Sequence, residues 1–90
     1  MARTITVAQA GASTYRVTVQ EDGGRTEHDV TVTPDHVQRY APGTPPERLV
    51  ETSFEFLLDR EPKESILTRF ELPVIERYFP DYPQKIRETL

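Results

Sequence analysis

The stretch "STYRVTVQEDGGRTEHDVTVT", residues 13–33, leaves the first part of the chain little conformational choice. Tyr15, Val17 and Val19 alternate with Thr14, Arg16, Thr18 and Gln20, the period-two pattern of a strand with one buried and one wet face. Asp22-Gly23 is a tight-turn pair, and beyond it His28, Val30 and Val32 alternate with Glu27, Asp29, Thr31 and Thr33. Two alternating runs joined by Asp-Gly predict a hairpin. Upstream, "TITVA" puts Ile5 and Val7 in register for a third strand, so the simplest sheet is a three-stranded antiparallel meander over about 3–33.

Beyond Pro34 the apolar spacing becomes helical. "PDHVQRY" starts on a proline, stops before Pro42-Gly43 and turns Val37 and Tyr40 inward. Thr44 followed by Glu47 has the spacing of a capping box, which predicts a helix from Pro45 to Asp59. Its Leu49, Val50, Phe54, Phe56, Leu57 and Leu58 spread over roughly half the circumference, opposite Arg48, Thr52, Glu55 and Asp59. So wide an arc demands more than one neighbour, the sheet and then either the later helices or a second subunit, and Phe54 and Leu57 should be deeply buried. At Pro62 the chain should turn and restart as a helix with Ile66, Leu67 and Phe70 on one face. Pro73 restarts it again, with Val74, Ile75, Tyr78 and Phe79 as the apolar set, and a last short helix over 81–90 places Ile86 and Leu90 a turn apart. The expected fold is a single α+β domain over 1–90, the meander (strands about 3–33) packed on three to five C-terminal helices (about 34–90).

Apolar residues at 36% and charged residues at 29% suit a folded globular chain. Cysteine is absent, which removes disulfides and thiolate zinc sites and makes the cytoplasm the default compartment. Neither a signal-peptide segment nor an apolar run of membrane-spanning length occurs, so no membrane partner is expected. The net charge of −4, with both signs interspersed, lacks the basic footprint of a nucleic-acid binder.

Chemistry-bearing motifs are sparse. His28 sits on the apolar parity of its strand and His36 in a first helical turn, neither with a second histidine four residues on, so no metal site is expected. His28 should be partly buried and bonded to a neighbour, and His36 solvated. Ser13, Ser53 and Ser65 lie in no nucleophile-elbow motif, and Glu51 with Glu55 reads as a solvated helix face. No catalytic residue, cofactor or enzymatic activity is predicted.

"ESILTRFELPVIERY" resembles the span of a helix-turn-helix, yet the template fits poorly. With Ile66 and Phe70 as first-helix core positions, bulky Leu67 falls at the helix crossing, and Arg77 and Pro80 fall at core positions of the second helix. Glu71, Glu76 and Asp81 would also repel phosphate. Tyr78, Phe79 and Tyr82 read first as a plug at the bottom of the core and second as an exposed hot spot. More surface is apolar than one thin sheet covers, so unless the later helices cover it the interaction surface is Leu49, Phe56, Tyr78, Phe79 and Tyr82, engaged by another protein or by a second copy in a homodimer. The threonine-rich outer strand face, with Thr6, Thr18, Thr31 and Thr33, reads first as a solvated sheet surface and second as a surface or edge open to a partner strand.

The run "ERLVETSFEFLLDREPKESILTRFELPVIERYFPDY", Glu47 to Tyr82, resembles a recurring segment of short uncharacterised prokaryotic proteins, marked by "SFEFLL", "REPKESIL" and a "YFP" end. That resemblance implies a complete small protein and carries no activity, ligand or site residue. The expected function is therefore a non-enzymatic cytosolic protein-interaction module, an accessory subunit or antitoxin-like regulator. The alternative is a small helix-turn-helix-like DNA-binding regulator.

Overall fold

The computed structural model describes residues 3–90, so the first two residues of the expected 1–90 domain lie outside it. The elements run β1 (Arg3–Gln9), β2 (Thr14–Glu21), β3 (Gly24–Thr31), α1 (Pro34–Tyr40), α2 (Pro46–Leu58), a 3₁₀ turn (Lys63–Ser65), β4 (Arg69–Glu71), α3 (Val74–Tyr78) and α4 (Tyr82–Thr89). β1, β2 and β3 form the expected antiparallel meander, and β4 adds to β3 in parallel, giving the order β1-β2-β3-β4. Asp22 and Gly23 both take positive φ, 54° and 77°, as a two-residue hairpin with right-twisting strands requires.

The period-two pattern decides which sheet face is covered. Tyr15, Val17, Val19, His28, Val30 and Val32 are buried, while Arg16, Gln20, Arg25 and Glu27 stay exposed on the other face. On that open face Asp29 lies between Arg16, at 3.0 Å, and Arg69, at 4.0 Å, tying β2, β3 and β4 with alternating charge.

α2 covers the inner face. Phe54 and Leu57 are 0% and 3% exposed, as the apolar arc required. The second neighbour demanded by that arc is α4 of the same chain: Tyr82 is buried with its ring 5.3 Å from Phe56 and 5.1 Å from Tyr40. The Tyr82 hydroxyl donates to Ser53 Oγ at 2.7 Å, and Ser53 in turn donates to the Leu49 carbonyl at 2.6 Å, so this dry helix contact leaves no polar atom unpaired. Burial raises the Tyr82 phenol pKa well above its usual range. Tyr40 donates to Glu76 at 2.8 Å, and burial together with that carboxylate pushes its pKa up to about 12.

Four expectations are corrected. Pro62 does break the chain, but the residues after it form a single 3₁₀ turn and then a strand rather than a helix, so strand structure is not confined to about 3–33. The outer edge of β3 recruits this segment: the Asp29 N–H donates to the Thr68 carbonyl at 2.8 Å and the Leu72 N–H to the Thr31 carbonyl at 3.0 Å. Pairing with an open edge satisfies backbone groups that a two-turn helix would leave half unpaired. Leu67 consequently points outward.

The capping box forms elsewhere. α2 starts at Pro46 with Pro45 as a cap that uses no side chain, whereas at α1 the His36 N–H donates to Thr33 Oγ1 and the Thr33 N–H to His36 Nδ1. Half-buried and bonded in this cap, His36 is not the solvated side chain expected. Thr52, assigned to the wet side of α2, is 7% exposed, because α2 is enclosed by the sheet on one side and by α4 on the other.

Phe54 stands where sheet, α2 and β4 meet. Phe54→Ala should destabilise the domain by about 3–5 kcal/mol, a large part of its stability. Urea unfolding with an unchanged slope and a midpoint lowered accordingly is the expected outcome.

Candidate interaction site

An apolar groove of about 200 Å³ opens between the C-terminal end of α2, the 3₁₀ turn with β4, and α3. Its walls come from Leu57, from Ile66, Leu67 and Phe70, and from Val74, Ile75, Tyr78 and Phe79, with Glu61 and Ser65 among the lining residues. Each wall has a local cause. Leu57 lies in the last turn of α2, whose carbonyl accepts from the Arg60 and Glu61 N–H groups and carries the chain round the corner. Pro73 then starts α3, closed by the Phe79 N–H donating to the Ile75 carbonyl at 2.8 Å.

His28 is the hinge pin of this arrangement. Its ring is 2% exposed, and Nδ1 donates to the Leu67 carbonyl at 2.8 Å, so Nε2 accepts from the Thr26 hydroxyl at 2.9 Å. The histidine is bonded as expected but is fully rather than partly buried, and its bond reaches 39 residues along the chain. Holding the carbonyl of Leu67 inward turns that side chain out: Leu67 is 47% and Tyr78 67% exposed, large apolar surfaces that border the groove.

Of the five residues expected at an interaction surface, Tyr78 and Phe79 line this groove. Leu49, Phe56 and Tyr82 are 0%, 7% and 0% exposed and belong to the core. The apolar arc that suggested a surface is covered by the chain's own α4, which a helical projection of α2 alone does not show. Missing from the expected interaction surface are Leu67, Phe70 and Val74. A signal existed in Ile66, Thr68 and Phe70, where β-favouring residues alternate with Leu67 and Arg69 as they would along a strand.

The electrostatics are one-sided. Glu61 is half-buried against apolar neighbours, and burial pushes its carboxyl pKa upward. Arg60 is engaged elsewhere, its guanidinium 3.6 Å from the Phe56 ring centroid and 2.9 Å from Asp81. The groove therefore presents apolar walls and one poorly solvated carboxylate.

The buried polar side-chain atoms of the described residues all have hydrogen-bond partners. Both ring nitrogens of His28 are bonded, as is the Ser53 hydroxyl. Among the described residues no group of three or more His, Asp or Glu side chains is placed to hold a metal ion, and no helix is long and apolar enough to cross a membrane. "ESILTRFELPVIERY" supplies a 3₁₀ turn, a strand and a five-residue helix, and so does not build the two helices of a helix-turn-helix.

Because the folded-state pKa of Glu61 is raised, its ionised form opposes folding above that titration, and the opposition fades as pH falls through it. Glu61→Gln should therefore be more stable than the parent at neutral pH. Urea midpoints of the two proteins measured across the acid range should converge as the carboxyl becomes protonated.

No family model, no curated protein and no solved structure matches the chain.

Proposed function

We propose that the chain is a non-enzymatic, cytosolic protein-interaction module, an accessory subunit or antitoxin-like regulator, that captures a short amphipathic segment of a partner protein. The carrying observation is the apolar groove bordered by exposed Leu67 and Tyr78. Contiguous apolar surface around a recess commonly marks a protein-interaction site, and tyrosine is among the residues that most often dominate binding there. Glu61 gives the partner a stated chemistry: one or two aliphatic or aromatic anchors followed by a lysine or arginine, whose charge relieves a carboxylate that burial has left poorly solvated. The absence of cysteine suits a reducing compartment.

Selection of a displayed library of short peptides on the immobilised domain tests this reading. Enriched peptides should carry apolar anchors next to a basic residue. Leu67→Ser and Tyr78→Ser should each weaken them by at least about tenfold, or roughly 1.4 kcal/mol, while leaving the urea midpoint unchanged. Binding indifferent to both substitutions would overturn the proposal. Retention of duplex DNA that falls steeply with salt would favour the nucleic-acid alternative instead.

A further inference from the structure

At the edge of the sheet opposite the groove, β1 presents seven residues, "RTITVAQ", with no strand beyond them among the described residues. Proteins normally blunt such edges with a lysine, a proline, a bulge or brevity. β4, the other edge, is blunted by brevity at three residues. β1 has none of these devices: its register with β2 runs unbroken from Arg3↔Glu21 to Gln9↔Tyr15. Its inner-face side chains Ile5 and Val7 are only half-buried.

The direction of the free backbone groups follows from the turns. The Ala10 N–H donates to the Thr14 carbonyl and the Val32 N–H to the Ser13 carbonyl, which sets the alternation so that even-numbered residues of β1 bond to β2. The N–H and C=O groups of Arg3, Ile5, Val7 and Gln9 therefore point away from β2 and meet no strand among the described residues.

From this we infer that β1 pairs antiparallel with β1 of a second copy about a two-fold axis through Thr6, joining two sheets into one. The strand is self-complementary in that register. Arg3 falls opposite Gln9 and Ile5 opposite Val7, and these are the residues whose outward groups exchange both hydrogen bonds in an antiparallel pair. On the inner face the partner's isoleucine covers half-exposed Val7, closing the shallow recess that Val7 forms with Pro45, Glu47, Arg48 and Glu51. β-Branched cross-strand pairs of this kind stabilise sheets. The only charge on the strand, Arg3, ends about 20 Å from its symmetry mate, at the rise of a β-strand, so no like charges oppose. Registers centred on Ile5 or Val7 satisfy the same alternation but use less of the strand. The groove residue Phe70 lies on β4, at the far edge, so both grooves of the dimer stay open and the assembly is bivalent. The pairing stands independently of what the grooves bind.

Thr6 is exposed and sits on the axis, where the two copies' side chains approach most closely, so like charges placed there break the pair without touching the core. Light scattering on the full chain, from about 1 to 100 µM to bracket micromolar affinity, should show the wild-type mass rising to twice 10.4 kDa. Thr6→Lys and Thr6→Glu should each remain at 10.4 kDa with wild-type circular dichroism, and an equimolar mixture of the two should recover the doubled mass. Amide exchange at Ile5 and Val7 should be slow in the associated wild type and fast in either single variant. A wild-type mass of 10.4 kDa throughout the range overturns the inference, as do a doubled mass in either variant alone and a mixture that fails to associate.

Discussion

Phe54 is the contact on which the rest of the structure depends. Fully buried in α2, it meets the His28 ring at 5.3 Å and the Phe70 ring at 6.1 Å, and so joins the meander, the long helix and the added strand in one place. A sheet with one apolar face has to be covered, and a single helix spanning β1 and β2 leaves the far side of the sheet uncovered unless something else fills it. Here the chain folds its own downstream segment back. β4 widens the sheet under Phe54, and α4 covers the side of α2 turned away from the strands.

His28 makes this return chain specific. A valine at that position would serve the core equally well but could not hold the Leu67 carbonyl, and a carbonyl left unpaired there would carry the penalty of a buried acceptor. The bond does two things at once. It anchors the segment that becomes β4, and it turns the side chain of Leu67 toward solvent beside the groove. The exposed apolar rim is thus a by-product of how the backbone is satisfied, since a helix through the same residues would have folded Leu67 inward.

The molecule divides its surfaces by chemistry. The open sheet face is threonine-rich and charge-paired, with Asp29 between two arginines, and is stable in water as it stands. The exposed large apolar side chains Leu67 and Tyr78 border the groove at one end of the strand order, half-buried Ile5 and Val7 lie at the other, and Leu90 is exposed at the end of the last helix. Placed at opposite ends, the proposed strand pairing and the proposed segment capture would not compete.

The hairpin, its turn, the buried parity of β2 and β3, the burial of Phe54 and Leu57 and the break at Pro62 were all legible in the residues. Each rests on local periodicity or on a proline or glycine whose backbone demands hold in any context. β4, the outward turn of Leu67 and the capping role of His36 were not legible, and the burial of Leu49, Phe56 and Tyr82 was only one of two readings the residues left open. Apart from the His36 cap, a local bond to Thr33, those features were decided by partners far along the chain: the open edge of β3 competing for the backbone of 68–72, His28 reaching Leu67, and α4 reaching Ser53. A short apolar run such as "SILTRF" fits strand and helix almost equally, and only the tertiary structure supplies the hydrogen-bonding edge that settles the choice.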